Sequence, residues 1–250
     1  MNANKVIKTY WEGALSNLER LAIKSWIANG HTALVYTFDK KLASFDKDMI
    51  VMDASEILSL ETRRKVRGIS TVFSDIFRYC LLCKTGGWWF DLDTVLLKPI
   101  TTESPIVMSM SFKEKINGKF DKLALNSNPL KVPRGHALAE AWLRNAEKRD
   151  ITKEMHGDMS GSLVEKEALN LKLENYFVKP EIYSPLGWLE GYKAINPGLY
   201  FDRITTETVS IHFFNVMWSH GENTGKPLDK NKKYHPDSLY EFLKKKYEIV

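Results

Sequence analysis

Apolar and polar positions along the first hundred residues predict strands separated by helices. The predicted strands are residues 6–11, 33–38, 49–52 and 88–90. The predicted helices are residues 16–27 and 71–84, where apolar side chains recur at helical spacing. Ser16 and Glu19 have the spacing of a capping box, and Gly86-Gly87 is a helix stop. This β-α-β order predicts an α/β fold with a largely parallel sheet flanked by helices.

The second half of the chain has a less regular pattern. It contains three further apolar runs that suit strands, at residues 106–112, 123–126 and 209–214. Amphipathic helices are predicted over residues 136–148 and 237–246. Neither an internal repeat nor a low-complexity linker divides the sequence, so a single domain over residues 1–250 is expected.

Composition and charge exclude several classes of protein. Of the 250 residues, 44% are hydrophobic, and 36 basic residues against 31 acidic ones give a net charge of +5. Much of the excess lies near the end of the chain, at Lys226, Lys230, Lys232, Lys233, Lys244, Lys245 and Lys246. The rest lacks a basic stripe with interleaved aromatic residues, so no nucleic-acid partner is expected. No apolar run is long enough for a membrane helix or resembles a signal peptide, which predicts a cytoplasmic protein.

Two acidic residues follow the apolar run at residues 88–90. Asp91 and Asp93 are two positions apart, so their side chains point the same way if the strand continues through them. The carboxyl edge of an α/β sheet is where such folds bind ligands. Paired carboxylates there suit Mg²⁺ or Mn²⁺, which keep open positions for phosphate oxygens.

Two other interpretations of these acids stay open at this point. A bare Asp-x-Asp pair is often only part of a surface turn. The run from Phe90 to Leu96 also looks like the nucleophile motif of haloacid-dehalogenase-type phosphatases, in which Asp91 would attack phosphorus and Asp93 would act as acid and base. That motif usually occupies the first strand and needs a later acidic motif, for which Gly157-Asp158 is the candidate.

A longer segment around these acids resembles a known family. Residues 73–100, FSDIFRYCLLCKTGGWWFDLDTVLLKPI, closely resemble the DxD sugar transferases of the glycosyltransferase family 32 type, which are related to the glucosylating domains of large clostridial toxins. Residues 9–31 resemble bacterial members, of the capsule or polysaccharide type, and the segment SIHFFNVMW at residues 210–218 resembles the closing His-then-Trp segment of the family. The resemblance implies a Rossmann-like GT-A fold, with residues 1–100 binding the nucleotide sugar and residues 101–250 forming the acceptor side with a basic C-terminal helix.

The resemblance also implies a metal site and its ligands. Asp93 would bind Mn²⁺ or Mg²⁺ directly, while Asp91 would contact the donor and reach the metal through water. His212 would lie near the diphosphate as a further ligand. Without the resemblance, a histidine in an apolar strand is more often a packing residue that is satisfied by hydrogen bonds.

Further donor-binding residues follow from the same resemblance. Trp11 would stack on the uracil of a UDP-sugar, and Trp218 would close over the leaving group. Asp75 and Arg78 would hold sugar hydroxyls and the diphosphate, and Asn126 would lie near the transferred sugar. The alternatives are purely structural roles, in which Trp11 belongs to the core and Asp75 and Arg78 form a surface ion pair.

The activity implied is transfer of a hexose from UDP-galactose or UDP-glucose to a glycan or glycolipid acceptor, with retention of configuration. The catalytic residues would be Asp75, Arg78, Asp91 and Asp93. On the acceptor side the chain departs from the family, since Gly161-Ser162 stands where relatives often have Gly-Pro. The lysine-rich end predicts peripheral contact with an anionic membrane at its inner face. The rival functions are the phosphatase and a non-catalytic module that binds a nucleotide sugar.

Overall fold

Strands and helices alternate through the first half of the chain. A computed structural model describes residues 4–66, 70–116, 119–150, 152–153, 160–198, 201–220 and 226–249. In order, the first elements are β1 (Val6–Tyr10), α1 (Asn17–Ala28), β2 (Thr32–Thr37), β3 (Met49–Asp53), α2 (Leu60–Lys65), α3 (Ser70–Thr85), β4 (Gly87–Trp89) and β5 (Thr94–Leu96). The predicted strands and both predicted helices of this half are confirmed to within one or two residues.

The second half adds a long hairpin and several short elements. These are β6 (Val107–Ile116), β7 (Lys119–Val132), α4 (Ala137–Glu147), α5 (Gly161–Asn170), β8 (Phe177–Val178), α6 (Pro180–Tyr183), β9 (Ser210–His212), α7 (Asn215–His220) and α8 (Leu239–Lys246). The helices predicted at residues 136–148 and 237–246 are confirmed as α4 and α8. None of the helices in the described ranges is both long and apolar enough to cross a membrane.

A mixed sheet organises these elements. Among the described residues, seven strands pair in the order β3-β2-β1-β4-β7-β6-β8. Strands β3, β2, β1 and β4 are mutually parallel, as are β6 and β8, whereas β7 runs antiparallel to both of its neighbours. The predicted α/β class with a largely parallel sheet is therefore confirmed. Sheet pairing also joins the two halves of the chain, because β4 from the first pairs with β7 from the second.

A smaller pairing brings a distant segment to the end of β4. Strand β5, just beyond the acidic pair, runs antiparallel to β9, and Thr94 lies opposite His212. Ile211 and Phe213 are fully buried beneath this ribbon, together with Trp218. This pairing places His212 beside the acidic residues, although Thr94 and His212 are 118 positions apart in the sequence.

Strand β4 is buried on both faces. The ring of Trp89 packs against Phe77 of α3 with centroids 6.5 Å apart, while the ring of Trp88 packs on the other face against Tyr183, 6.0 Å away. Both indoles are fully buried. Truncating rings of this kind to alanine typically costs about 3–5 kcal/mol. Strand β4 is therefore a rigid base for the residues that follow it.

The turn between α3 and β4 requires glycine. Gly86 has a φ of +60°, and a Cβ there would lie 2.4 Å from the backbone nitrogen of Arg134. Lys8 of β1 closes the end of α3, because its ammonium donates to Thr85 Oγ1 and to the Gly86 carbonyl at 2.8 and 2.6 Å. Burial lowers the pKa of Lys8 to about 8. These contacts fix the angle at which the chain enters β4.

Candidate active site

The acidic pair lies in a turn at the carboxyl end of β4. The expectation that the strand continues through both acids is wrong, because β4 ends at Trp89. The chain then turns, and the N–H of Thr94 donates to the carbonyl of Asp91 at 3.0 Å. The turn, rather than strand alternation, brings the carboxylates of Asp91 and Asp93 to the same place.

Three potential metal ligands converge at this turn. Side-chain ligand atoms of Asp91, Asp93 and His212 all lie within 4.8 Å of one another. His212 and Asp93 are buried, whereas the Asp91 side chain is 27% exposed. The structure therefore brings these three residues together, even though they come from two distant parts of the chain.

The two oxygens of Asp93 have different surroundings. Oδ2 accepts a 2.6 Å hydrogen bond from the backbone N–H of Asn215. Oδ1 lies 3.2 Å from Nε2 of His212 but outside hydrogen-bond alignment, so this buried oxygen has no donor among the described residues. Burial would raise the pKa of the Asp93 carboxyl, but attraction to His212, the N–H of Asn215 and the charge of Lys230 hold that pKa below its ordinary value.

The residues after β9 orient His212 and the donor to Asp93. Phe214 has a φ of +49°, an uncommon left-handed conformation for a bulky residue. Its ring stacks on the imidazole of His212 with centroids 3.9 Å apart. The same bend delivers the N–H of Asn215 to Asp93. Strain of this kind persists only where surrounding contacts enforce it, and it is concentrated at functional sites.

A divalent cation fits this cluster. A buried carboxylate oxygen without a hydrogen-bond donor is costly unless a cation occupies the space beside it. Two carboxylates and an imidazole are acceptable ligands for Mn²⁺. Mg²⁺ accepts the carboxylate oxygens but prefers fewer nitrogen ligands. Asp91, Asp93 and His212 are the residues that could hold such an ion.

Asn126 contacts the outer nitrogen of His212. Its amide Nδ2 lies 3.2 Å from Nδ1 of the imidazole. For Nε2 of His212 to bind a metal, Nδ1 must carry the proton, and the Asn126 amide would then turn its oxygen towards it. Asn126 is therefore placed to select the tautomer of His212, which differs from the predicted contact with the transferred sugar. The sugar contact stays a prediction.

Arg78 is the hub of a buried polar network. Its guanidinium donates to Asp91 Oδ1 at 2.8 Å and to the Ser127 carbonyl at 2.9 Å, and it lies 3.1 Å from Asp75 Oδ1. It also lies over the ring of Trp89, 4.9 Å from the centroid. The side chains of Arg78 and Asp75 are only 4% and 7% exposed, so the alternative of a surface ion pair is wrong.

Asp91 is held by contacts from two directions. The indole N–H of Trp89 and the guanidinium of Arg78 both donate to its Oδ1, the former at 2.7 Å. Its backbone N–H donates to Oδ1 of Asn128 at 2.8 Å, and the Asn128 amide donates to Thr94 Oγ1 at 2.7 Å. Asn128 thus bridges the two ends of the turn. Sequence reasoning missed it, although a polar residue before a proline within an apolar strand is a signal.

Burial makes Asp75 a weak acid. Desolvation raises its pKa to about 7, with repulsion from Asp91 adding to the effect and attraction to Arg78 opposing it. In the unfolded chain the pKa of an aspartate is about 3.9. The folded protein therefore binds a proton at Asp75 more tightly than the unfolded chain does. The stability from this group is fully present at low pH and is lost as pH rises towards 7.

Asp75→Asn is expected to flatten the pH dependence of stability. Between about pH 5 and pH 8, in EDTA, the variant should gain about 2–3 kcal/mol of unfolding free energy relative to the wild type. Urea denaturation of both proteins at the two pH values measures this difference. Curves that run parallel over the range would contradict the raised pKa of Asp75.

The two predicted aromatic donor contacts differ in accessibility. Trp11 follows β1 at the same edge of the sheet as the acids and is half-buried, with the ammonium of Lys230 lying 5.5 Å from its ring centroid. Trp218 on α7 is fully buried, and its N–H donates to the Phe213 carbonyl at 3.1 Å. A donor reaches Trp218 only if α7 moves. Stacking on either ring stays a prediction.

Helix α5 packs on β7 beside Asn126. A Cβ at Gly161 would lie 2.1 Å from the Leu125 carbonyl, so only glycine allows α5 to pack this closely on β7. The Gly161-Ser162 pair therefore has a packing role beside Asn126. The candidate phosphatase acids, Gly157-Asp158, lie outside the described residues.

Comparisons with known proteins show what this region is similar to. Residues 16–113 match the family model described as "Glycosyltransferase sugar-binding region containing DXD motif". A comparison with curated proteins gives no match. Among solved structures, PaToxG glycosyltransferase is similar at 14% identity with a TM-score of 0.45, over 69% of this chain and 73% of that one. A mutant transferase is similar at 11% identity with a TM-score of 0.35, over 70% and 86%.

The matched segment contains α3, β4 and both acids of the turn. It therefore includes Asp75, Arg78, Asp91 and Asp93, and it leaves His212 outside. Residues 16–113 of this chain are thus similar to a glycosyltransferase sugar-binding region containing a DXD motif.

Proposed function

We propose that the protein transfers a hexose from UDP-glucose or UDP-galactose to a glycan or glycolipid acceptor, with Mn²⁺ or Mg²⁺ as cofactor. The observation that carries the proposal is the convergence of Asp91, Asp93 and His212 within 4.8 Å at the carboxyl end of β4. The buried Asp75–Arg78–Asp91 network beside this cluster supports a donor-sugar site. The two acids lie in the family-matched segment.

In this proposal Asp93, His212 and Asp91 hold the metal. When bound, the ion supplies Lewis-acid stabilisation to the diphosphate as negative charge develops on it. Arg78 adds a fixed cation on the sugar side of the site, and the Asp75 and Asp91 carboxylates orient it. Asp75 accepts hydrogen bonds from sugar hydroxyls, and Trp11 stacks on the base. Pairing of β4 with β7 and of β5 with β9 supports a single domain in which residues 1–100 hold the donor and residues 101–250 the acceptor.

The transfer exchanges one bond at the anomeric carbon for another. The bond from the anomeric carbon to the diphosphate oxygen breaks, and its electron pair stays on the diphosphate. The acceptor hydroxyl oxygen forms the new bond, and its proton passes to the departing diphosphate oxygen. Asp75 and Asp91, the carboxylates of the polar network, are both paired with Arg78 rather than standing as a separate nucleophile. We therefore propose attack on the same face that the diphosphate leaves, with retention of configuration.

A donor panel tests this function. UDP-sugars are incubated with the protein and Mn²⁺ but without acceptor, and release of UDP is measured. Slow release from one or two UDP-hexoses, abolished by EDTA, is expected. Release of phosphate from simple phosphomonoesters would favour the phosphatase instead. Binding of UDP without any turnover, even when a mixture of glycans is supplied, would favour a non-catalytic module.

We further propose that the protein works at the cytoplasmic face of an anionic membrane, in assembly of a polysaccharide. Two of the clustered lysines are held by contacts within the protein. Lys244 pairs with Glu241 at 2.9 Å, and Lys246 donates to the Leu97 carbonyl at 3.0 Å. Lys232, Lys233 and Lys245 are exposed, and Phe242 nearby is 50% exposed. These are the residues that support membrane contact.

Substituting Lys232, Lys233 and Lys245 with Gln is expected to weaken binding to anionic vesicles by roughly 100-fold at low salt, because each basic residue near such a surface contributes about 1 kcal/mol. Co-sedimentation with vesicles of anionic and of neutral lipid measures the effect. The control is the same change at three exposed lysines elsewhere, Lys40, Lys41 and Lys47. Equal sedimentation with both kinds of vesicle would show that the lysines only keep the surface solvated.

A further inference from the structure

Strand β7 is irregular where it passes the acidic turn. Its pairing with β6 places Leu125 opposite Met110 and Leu130 opposite Met108. Five steps along β7 therefore stand opposite only two steps along β6. A bulge of this kind re-aims side chains and is common beside active sites. Residues 126–129 are thus released from regular pairing and can contact the turn.

Two asparagines in this bulge contact both parts of the candidate metal site. The amide Nδ2 of Asn126 lies 3.2 Å from Nδ1 of His212. Two residues further along, Oδ1 of Asn128 accepts from the backbone N–H of Asp91 at 2.8 Å. The bulge therefore touches the ligand that comes from the turn and the ligand that comes from β9.

The amide of Asn128 has its orientation fixed by its two partners. The residue is fully buried. While Oδ1 accepts from Asp91, Nδ2 donates to the hydroxyl of Thr94 at 2.7 Å. A flipped amide would place its NH₂ group against the backbone N–H of Asp91, donor against donor. The side chain therefore joins the turn to the first residue of β5 in a single arrangement.

Thr94 extends this contact to the ribbon that holds His212. It lies opposite His212 in the pairing of β5 with β9. Its N–H donates to the Asp91 carbonyl at 3.0 Å, and its own carbonyl accepts from the indole N–H of Trp26 at 2.8 Å. Thr94 is fully buried, so water does not compete for these hydrogen bonds. Asn128 therefore acts on Asp91 directly and on His212 through Thr94.

We propose that Asn128 is a positioning residue that holds Asp91 and His212 at the spacing needed for metal binding, and this rests on the metal site of the proposed function. Groups behind metal ligands orient them, and their loss typically lowers metal affinity by roughly 10–100-fold. Asn128 does this through the backbone of Asp91 and the strand opposite His212. An arriving cation therefore meets ligands that have already converged.

The competing explanation is that Asn128 serves stability alone. Asn128→Ala leaves the buried N–H of Asp91 and the buried hydroxyl of Thr94 without this partner, which is destabilising in either case. Thr94→Val separates the two roles, because it breaks the link to β5 while the amide still accepts from Asp91. Thr94→Ser keeps a hydroxyl at the same position and should preserve the link.

Calorimetric titration with Mn²⁺, beside thermal melting in EDTA, tests the proposal. Affinity for Mn²⁺ should fall about 10-fold or more in Asn128→Ala and in Thr94→Val, and less than about 3-fold in Thr94→Ser. The matched control is Thr208→Val, which removes another buried hydroxyl, one that donates to the Glu181 carbonyl at 2.9 Å. It should melt at a lower temperature, as Thr94→Val does, yet bind Mn²⁺ as the wild type does.

Each outcome bears on a different claim. Wild-type affinity for Mn²⁺ in Asn128→Ala and Thr94→Val, or an equal loss in Thr208→Val, would leave Asn128 with a role in stability alone. Should Asn128→Ala fail to fold, the comparison of Thr94→Val with Thr94→Ser still decides. A wild type that binds no Mn²⁺, alone or with UDP, would remove the metal from the proposed function and this inference with it. A wild type that binds Mn²⁺ but releases UDP from no donor would contradict the proposed function only.

Discussion

Asp93→Asn is expected to reduce turnover of the UDP-sugar donor by about 1,000-fold or more, with the fold intact. The substitution keeps the shape of the side chain and an oxygen that can accept from the N–H of Asn215, so the turn is preserved. It removes the negative charge from the buried oxygen that has no donor in the described structure. Losing one preorganised electrostatic contact typically costs 10²–10³ in turnover, and a weakened metal ligand adds to that loss.

The experiment follows UDP release at increasing Mn²⁺ concentration for the wild type and the variant. EDTA should abolish wild-type turnover, and added Mn²⁺ should restore it, while excess Mn²⁺ should rescue Asp93→Asn poorly. Asp237→Asn is the matched control, because its side chain is 80% exposed. Wild-type rates for Asp93→Asn, together with activity that EDTA does not affect, would exclude a metal at this cluster.

The elements that carry this site were largely predictable from the sequence. Helix α3 has a continuous apolar face, and Gly86 marks its end, so its bounds were predicted to within one residue. Strand β4 is an apolar run whose burial on both faces follows from its composition. Both signals are local, which is why an apolar pattern was enough to detect them.

Strand β7 shows where local pattern fails. Only residues 123–126 were predicted as a strand, whereas β7 spans Lys119–Val132. Pro129 argues against an interior strand, and Lys131 argues against burial. Yet Lys131 is buried with its ammonium donating to Asn4 Oδ1 at 2.8 Å and to the Ser104 carbonyl at 2.7 Å. These hydrogen-bond partners compensate the cost of burying the lysine ammonium. They are too far from Lys131 in the sequence for a local pattern to reveal them.

The site itself was predictable in its residue types and less so in its geometry. The acids Asp91 and Asp93 stand out because a buried strand leads into them. The pairing of β5 with β9 that brings His212 to Asp93 is tertiary and has no local signal. The contributions of Asn128 and of the N–H of Asn215 were missed for the same reason, since both act on atoms of a turn formed elsewhere in the chain.

Arg78→Lys is expected to lower turnover by at least about 100-fold, which an ion pair serving stability alone would not predict. The guanidinium contacts Asp91, Asp75 and the Ser127 carbonyl at 2.8, 3.1 and 2.9 Å. Lysine keeps the charge but lacks the planar fork, so it cannot hold three partners at once. Misplacing the reacting groups by about 1 Å can cost roughly 100-fold.

Asp75→Ala separates donor-sugar binding from nucleotide binding. Arg78 keeps its bond to Asp91 in this variant, and Trp11 and the metal ligands are unchanged, so UDP should bind with near-normal affinity. Turnover should fall by about 100-fold or more. Discrimination between UDP-glucose and UDP-galactose should weaken. A site that hydrogen-bonds a particular sugar hydroxyl no longer selects for it when the protein group that makes the bond is removed. Calorimetry with UDP and turnover with both sugars measure these effects.

A helix-surface ion pair of this chain is the matched control for both substitutions. Glu140 and Arg144 on α4 are i and i+4 neighbours at 3.4 Å, with side chains 47% and 58% exposed. Arg144→Lys and Glu140→Ala should change stability by less than about 0.5 kcal/mol and leave turnover unchanged. If Arg78→Lys and Asp75→Ala behave like this exposed pair, α3 is only scaffold. The donor sugar must then be held by other residues at the edge of the sheet.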